Sequence, residues 1–350
     1  MYFASDNTAP VHPKVMESLT RANAGYAPSY GGDAIMDTVR ARIRELFEAP
    51  QAAVYLVATG STANALSLAT FCPPWGAVYC HPRAHIEEDE CGAPEFYTGG
   101  AKLVLVDGDD AKMTPANLRQ KIADTVQGDV HRVQRGMVSI TNVTEMGAVY
   151  STAEVAALCD IGKSFGLPCH MDGARFANAL VATNASPAEM TWKAGIDVLS
   201  FGGTKNGLMG VEAVVIFDPE KAWEFELRRK RSGHLFSKHR YLSAQMQAYL
   251  ADDLWLSLAR DANAMGARLS AGIAAAKGGK LLHPTDANMV FATLPRAAHR
   301  RAKDAGATYH FWPVDRSLDG PDDAALSARM VCSWCTTADD VDRFLSTISG

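Results

Sequence analysis

Apolar positions in the first two thirds of the chain follow two alternating spacings. Apolar side chains repeat at helical spacing from Ile35 to Leu46, and the apolar run at 53–57 has the length of a buried strand. Helical segments such as 64–71 and 152–165 then alternate with strand-like runs at 78–80, 103–106, 137–140, 166–171, 196–201 and 213–217. This alternation predicts an α/β fold with a mainly parallel sheet covered by helices on both faces.

The pattern changes after a basic helical segment at 219–232. A long helical stretch from 241 to 276 precedes strand-like runs at 288–292 and 327–331, and a helix near 337–348 closes the chain. We therefore predict a large domain with an N-terminal arm over residues 1–244 and a smaller C-terminal α/β domain over residues 245–350.

Two of the strand-like runs end in motifs with reactive side chains. His170-Met171-Asp172-Gly173-Ala174-Arg175 closes the first, and Gly202-Gly203-Thr204-Lys205-Asn206-Gly207 closes the second. Pyridoxal phosphate needs a carboxylate beside its pyridine nitrogen and a lysine that forms a Schiff base. The two motifs together predict a pyridoxal phosphate site with Asp172 and Lys205 in these roles. Taken separately, Asp172 is equally consistent with a helix cap, and Lys205 with a solvated loop lysine.

The run at 53–57 leads into Thr59-Gly60-Ser61-Thr62 at the start of a helix. Backbone amides at a helix start form an anion site, so this turn predicts a cradle for the cofactor phosphate. Without the two motifs downstream, it would indicate only an ordinary N-cap.

Composition narrows the class of protein. A hydrophobic content of 47% supports a large core, and a formal charge of −5 without an extended basic tract argues against nucleic acid. We see no membrane span and no signal peptide, so we expect a cytoplasmic protein. The seven cysteines are odd in number and lie often in apolar runs, as reduced thiols do, and we interpret Cys332-Ser333-Trp334-Cys335 as part of the core rather than a zinc or redox site.

The order of the motifs resembles that of the low-specificity L-threonine aldolases, which are fold-type I pyridoxal phosphate enzymes. The resemblance includes a histidine segment at 84–90 and extends from Ser5-Asp6-Asn7 to the run 329–334. The subgroup with Asp-Glu-Cys-Gly-Ala-Pro-Glu-Phe, here Asp89 to Phe96, is the most similar. The resemblance implies an aspartate aminotransferase-like fold.

The resemblance also implies roles for individual residues. Lys205 would hold the cofactor, Asp172 would pair with the pyridine nitrogen, and His85 would stack on the ring. The remaining roles are phosphate binding by the amides of Gly60 and Ser61, and a substrate-carboxylate clamp made by Arg175, Arg329 and Ser5.

In the family, Tyr30 would reach the site of a neighbouring subunit, which implies a homotetramer built from dimers that share active sites. A cationic residue of the segment 229–238 would contact the phosphate across that interface. The sequence leaves Arg231 and Lys238 as alternatives for this contact.

The implied reaction is retro-aldol cleavage of L-threonine, L-allo-threonine or a related substrate such as phenylserine to glycine and an aldehyde. It would proceed through a Schiff base at Lys205 and a glycine quinonoid. The base must reach the β-hydroxyl, and the candidates are His85 and His131, with Asp89 as the group that orients His85. Other members carry a histidine in the segment that is 141–147 here, which makes Glu145 a third candidate.

His85 and Asp89 share one face if their segment is helical, and this spacing also suits a metal ion. No third ligand accompanies them, so we predict no metal. The alternative enzyme reactions are transamination and β-elimination on the same cofactor. A catalytically silent pyridoxal phosphate or regulatory binding protein is a further alternative, against which the presence of both Lys205 and Asp172 argues.

Overall fold

Strands and helices alternate through most of the chain. The computed structural model describes residues 1–314 and 316–350. Within these residues the strands are β1 Ala53–Val57, β2 Gly76–Cys80, β3 Lys102–Leu105, β4 Gln134–Thr141, β5 Cys169–Gly173, β6 Val198–Gly202, β7 Glu212–Ile216, β8 Lys280–Leu281, β9 Met289–Pro295, β10 His310–Phe311 and β11 Ala325–Val331.

The α-helices are mostly short and cover the sheets. They are α1 Pro13–Ala22, α2 Ala34–Leu46, α3 Gly60–Phe71, α4 His85–Glu88, α5 Ala93–Thr98, α6 Pro115–Asp124, α7 Thr152–Ser164, α8 Phe176–Thr183, α9 Pro187–Met190, α10 Ala222–Arg231, α11 Arg240–Leu250, α12 Leu254–Ala275, α13 Arg296–Asp304 and α14 Ala338–Ser349. None of the described helices is both long enough and apolar enough to cross a bilayer.

The larger sheet has seven strands in the order β1-β7-β6-β5-β4-β2-β3. β7 pairs antiparallel with β1 and β6, whereas the pairings from β6 across to β3 are parallel. Apolar side chains of this sheet and its helices form one core, which includes Ile43, Leu158, Phe176 and Phe201. The predicted α/β fold with a mainly parallel sheet is confirmed.

The strand directions bring distant segments to one edge of this sheet. The carboxyl ends of β1, β2, β4, β5 and β6 meet there, which is where ligands bind in open α/β sheets. Because β7 runs the opposite way, its first residue, Glu212, reaches the same edge, in register with Val57 and Gly202. This edge therefore collects the loops that carry the predicted site residues.

The smaller sheet is antiparallel, in the order β10-β11-β9-β8. Its core includes Leu269 of α12 and Phe344 of α14, and Phe3 from the start of the chain is fully buried in the same cluster. α12 packs on both α8 and α14 and so contacts both parts of the molecule. The domain boundary at 244/245 stays a prediction.

The single helical stretch predicted over 241–276 is wrong, because the chain breaks between α11 and α12. Asp252 and Asp253 take left-handed backbone angles, with φ of 52° and 51°, a conformation that aspartate adopts more readily than most residues. Asn206 fixes the ends of the break, since its Nδ2 donates at 2.8 Å to Tyr249 Oη and at 2.8 Å to the carbonyl of Trp255. The break thereby supports the turn that carries Lys205.

Candidate active site

A cavity of about 260 Å³ opens at the carboxyl edge of the larger sheet. Five of the predicted site residues line it, namely Gly60, Ser61, His85, Asp172 and Lys205. Asn7, Ala58, Thr59, Asn64, Glu90, Ala174, Thr204 and Glu212 complete the lining. The cavity therefore combines a lysine, an imidazole, three carboxyl groups and a helix start.

Asp172 lies at the end of β5 and is 2% exposed. Its Oδ1 accepts from the amide of Ala174 at 3.0 Å, and its Oδ2 accepts from Asn64 Nδ2 at 3.0 Å. Asp172 is thus held in a fixed position as an acceptor inside the cavity.

Lys205 follows β6 on a single 3₁₀ turn, Thr204–Asn206. Gly203 before it is required by packing, since a Cβ there would lie 2.4 Å from Leu208 Cδ1 and 2.8 Å from the Val211 carbonyl. Gly207 after it has a φ of 98°, which favours glycine. The two glycines thus fix the turn on both sides of the lysine.

Gly60 and Ser61 open α3 with Thr59 as N-cap. The first amides of a helix have no partner within the helix, and the helix dipole favours an anion beside them. A Cβ at Gly60 would meet no atom within 4 Å. This end of the cavity has the space and the donors for an anionic group.

His85 is hydrogen-bonded to a different residue from the one predicted to orient it. Its Nδ1 lies 2.8 Å from Oε1 of Glu90, which is buried, whereas Asp89 is exposed. Asp89 is the C-cap of α4, where its amide donates to the His85 carbonyl at 2.9 Å, but its side chain is exposed and forms no hydrogen bond with the imidazole among the described residues. The structure thus gives Glu90 as the hydrogen-bond partner of His85 Nδ1, and a role for Asp89 stays a prediction.

Arg175 is paired with a carboxylate of the protein. Its Nε and Nη2 donate to Asp6 at 2.6 Å and 2.8 Å, and both side chains are almost completely buried. Burial alone would raise the pKa of Asp6, but Arg175 reverses this and holds it below its usual value. Asp6 thus occupies Nε and Nη2 of Arg175, and the use of Arg175 in a substrate clamp stays a prediction.

Arg329 on β11 is paired through its backbone with the neighbouring strands, but its side chain has no hydrogen bond or ion pair with any residue that the structure describes. Burial and the charge of Arg175 lower its pKa, while Glu145, Asp6 and Asp89 act in the opposite direction. Glu145 also raises the pKa values of His85 and Arg175, so it faces the same site. Ser5, the third member of the predicted clamp, caps the turn that carries Asp6.

His131 and Tyr30 are not brought to this cavity. His131 is exposed and precedes β4, whose eight residues span about 26 Å at about 3.3 Å each. It therefore lies at the opposite edge of the sheet from Thr141, away from the cavity of its own chain, and its role as the base stays a prediction. Tyr30 is 48% exposed on a loop where Lys230 Nζ lies 5.0 Å from its ring.

Sequence reasoning missed four residues of the site: Asp6, Asn64, Glu90 and Glu212. Glu90 stood in the quoted histidine segment, five residues after His85, and Asp6 stood beside Ser5. Asn64 lies one turn into the helix that starts at Gly60, so its side chain could have been placed at the cavity. Glu212 carries no local signal, because its position depends on the reversed direction of β7.

Glu212 is expected to make the stability of the protein depend on pH. Burial raises its pKa from 4.5 to about 7, against hydrogen bonds from Thr204 and Gly203. A raised pKa contributes stability that is fully present below pH 4.5 and is lost as the pH rises through 7. Glu212→Gln removes this loss. From pH 4.5 to pH 8, the free energy of unfolding of the variant should therefore rise by about 3 kcal/mol relative to that of wild type. Urea unfolding of the cofactor-free protein measures it.

The exposed Glu17→Gln serves as the control for this measurement, and its difference from wild type should not vary with pH. A constant difference between Glu212→Gln and wild type from pH 4.5 to 8 would contradict the prediction.

Comparison with known proteins gives consistent results. The family model described as "Beta-eliminating lyase" matches residues 2–296. The curated low-specificity L-threonine aldolase of Pseudomonas aeruginosa is 39% identical over 341 residues, covering 97% of this chain and 94% of that protein. The protein of the same description from Pseudomonas sp. strain NCIMB 10558 is 38% identical over 334 residues, or 95% and 93% of the two chains.

A solved structure of Leishmania major threonine aldolase superposes on this one with a TM-score of 0.90. It is 27% identical in sequence, and the match covers 99% of this chain and 98% of that one. The agreement thus extends over both sheets.

Proposed function

Because this chain belongs to the low-specificity L-threonine aldolases of the β-eliminating lyase family, we propose that it cleaves β-hydroxy-α-amino acids to glycine and an aldehyde. The substrates are L-threonine, L-allo-threonine and related compounds such as phenylserine. The observation that carries this proposal is that Asp172, Lys205 and the Gly60 turn line one cavity.

The residues of the cavity fit pyridoxal phosphate, the cofactor of fold-type I enzymes. Bound there, it supplies an aldehyde that condenses with amines and a protonated ring that accepts the electrons of the broken Cα–Cβ bond. Asp172 would hold the ring nitrogen, Lys205 the aldehyde carbon, and the amides of Gly60 and Ser61 the phosphate. The open space at Gly60 and the buried Asp172 acceptor support this assignment.

We propose that His85 Nε2 is the base that accepts the proton of the substrate β-hydroxyl. This nitrogen faces away from the contact with Glu90, and His85 lines the cavity, which His131 does not. The transfer takes place directly or through one water. Glu145 remains the alternative base, because its charge acts on His85, Arg175 and Arg329.

Arg329 is the proposed main binding residue for the substrate carboxylate, and Arg175 and Ser5 are the other members of the proposed clamp. Arg329→Gln should raise KM for L-threonine about 100-fold while kcat changes less than about threefold, since the lost contact holds substrate and transition state alike. Steady-state kinetics with both threonine diastereomers measure this. The exposed Arg343→Gln on α14 is the control, and an unchanged KM in Arg329→Gln would contradict the assignment.

The decisive assay for the function is release of acetaldehyde and glycine from L-threonine and L-allo-threonine by the purified protein. We expect both diastereomers to be cleaved, and strict use of one would contradict that expectation. A transaminase would instead convert the cofactor to pyridoxamine phosphate, and a β-eliminating enzyme would release a keto acid and ammonia. Absence of turnover across β-hydroxy amino acids would favour a silent binding protein.

We also propose a cytoplasmic homotetramer in which Tyr30 and either Arg231 or Lys238 reach the neighbouring site. The exposure of Tyr30 supports this arrangement, since it does not line the cavity of its own chain. A mass of four chains in light scattering is expected. When Tyr30→Phe and Lys205→Ala proteins are mixed, some sites then combine the intact Lys205 of one chain with the intact Tyr30 of its neighbour. Activity should return at those sites.

A further inference from the structure

Asn64, Glu90 and His85 form a hydrogen-bonded chain that starts at Asp172. Asn64 Nδ2 donates to Asp172 Oδ2 at 3.0 Å and to Glu90 Oε1 at 2.9 Å, and that Glu90 oxygen lies 2.8 Å from His85 Nδ1. We propose that Glu90 is a positioning residue, which fixes His85 as the Nδ1-protonated tautomer and, through Asn64, ties its position to that of Asp172. This inference rests on the proposed function.

The tautomer follows from the chemistry of the contact. An ionised carboxylate only accepts hydrogen bonds, so the short distance between Glu90 Oε1 and His85 Nδ1 requires a hydrogen on Nδ1. In the neutral ring, Nε2 then carries the lone pair. No residue that the structure describes forms a hydrogen bond with Nε2. The nitrogen that could receive a substrate proton is therefore the one left open.

The backbone holds Glu90 in this place. Cys91 and Gly92 take left-handed angles, with φ of 51° and 72°, and reverse the chain directly after Glu90. Such a conformation is uncommon for a residue with a side chain. The reversal ends α4 after one turn, which leaves Asp89 exposed and the Glu90 side chain with no exposed surface.

Packing alone does not explain this carboxylate. Glu90 Oε2 and Asn64 Oδ1 are buried with no hydrogen-bond donor among the described residues. A buried acceptor without a donor costs about 1–3 kcal/mol. Glu90 therefore adds little to the stability of the fold. We assign its contact with His85 to the positioning of that imidazole.

The charges around His85 define what a titration should show. The hydrogen bond from Glu90 is the largest influence and raises the pKa of His85, whereas burial lowers it. Asp172 and Glu145 raise it further, and Lys205 lowers it. The balance leaves the pKa of His85 above the usual value for histidine, with Glu90 as the main cause.

The test measures the pKa of His85 from the pH dependence of hydrogen–deuterium exchange at its imidazole C2 position, by mass spectrometry. Wild type, Glu90→Gln and Glu87→Gln are compared, both with the cofactor removed and with it bound. Glu90→Gln keeps an oxygen for Nδ1 but loses the charge, so the pKa should fall by about one unit. Glu87 is exposed on the same turn, and its variant should show the wild-type pKa.

Kinetics provide a second readout. In Glu90→Gln the acid limb of the kcat profile should move to lower pH by the same amount, with KM changed less than about twofold. A residue needed only for packing would shift neither the pKa of His85 nor this limb. An unchanged pKa in a normally folded Glu90→Gln protein overturns the inference.

If Glu90→Gln does not fold, the wild-type protein still tests the inference, because the pKa of His85 must lie above the ordinary histidine value of 6.5. A value at or below 6.5 overturns the inference. Absence of aldehyde release by wild type, together with a raised His85 pKa, would instead contradict the proposed function and leave the His85–Glu90 pair established.

Discussion

Replacement of Lys205 by alanine is expected to abolish aldehyde release, with a loss of at least about four orders of magnitude in kcat. Lys205 is the lysine that lines the cavity with Asp172. Without its amine, no covalent link between protein and cofactor forms, and the exchange of that link for the substrate amine is lost. Acetaldehyde release and the visible absorption of the bound cofactor measure the effect.

The location of the link is tested directly by borohydride reduction of wild type followed by peptide mass spectrometry. The cofactor mass should appear on the peptide that contains Lys205. Lys14→Ala changes an exposed lysine of α1 and should keep wild-type activity. Aldehyde release above about 1% of wild type by Lys205→Ala, or a label on another lysine, would remove Lys205 from the proposed role.

Asp172→Asn is expected to lower kcat by about 150- to 5000-fold and to weaken cofactor binding. Removing one partner of a buried ion pair costs about 3–5 kcal/mol, which corresponds to this range of rates. Asparagine keeps the size of the side chain, and its oxygen can still accept from the Ala174 amide or from Asn64. It cannot hold a positive charge on the ring nitrogen, so the loss falls on the chemical step.

Steady-state kinetics at saturating cofactor separate the two effects of Asp172→Asn, and equilibrium dialysis gives the cofactor affinity. Asp160→Asn, an exposed carboxyl on α7, is the matched control. Turnover within tenfold of wild type would show that Asp172 is not the partner of the ring nitrogen.

Local motifs predicted the central pair of the site because strand ends fix its geometry. Asp172 closes β5 and Lys205 follows β6, and adjacent parallel strands bring their carboxyl ends together. The same rule places His131 away from the cavity of its own chain, because a residue that precedes a strand lies at the opposite edge.

Other parts of the site depend on contacts that a local pattern does not contain. The pair of Arg175 with Asp6 joins residues 169 positions apart. The contact of His85 with Glu90 follows from the left-handed angles of Cys91 and Gly92, which reverse the chain directly after Glu90. The direction of β7, and with it the position of Glu212, is a property of the whole sheet.

The pairing of the first residues with late parts of the chain also bears on the order of assembly during synthesis. Asp6 bonds to Arg175 and Asn288, and Phe3 packs with β9, β11 and α14. These partners leave the ribosome long after the first six residues. The N-terminal segment is therefore synthesised first but is among the last to dock. Contacts of such large sequence separation form slowly. The larger sheet can therefore be complete while the carboxylate that holds Arg175 is still undocked, and binding competence should appear later than the bulk of the secondary structure.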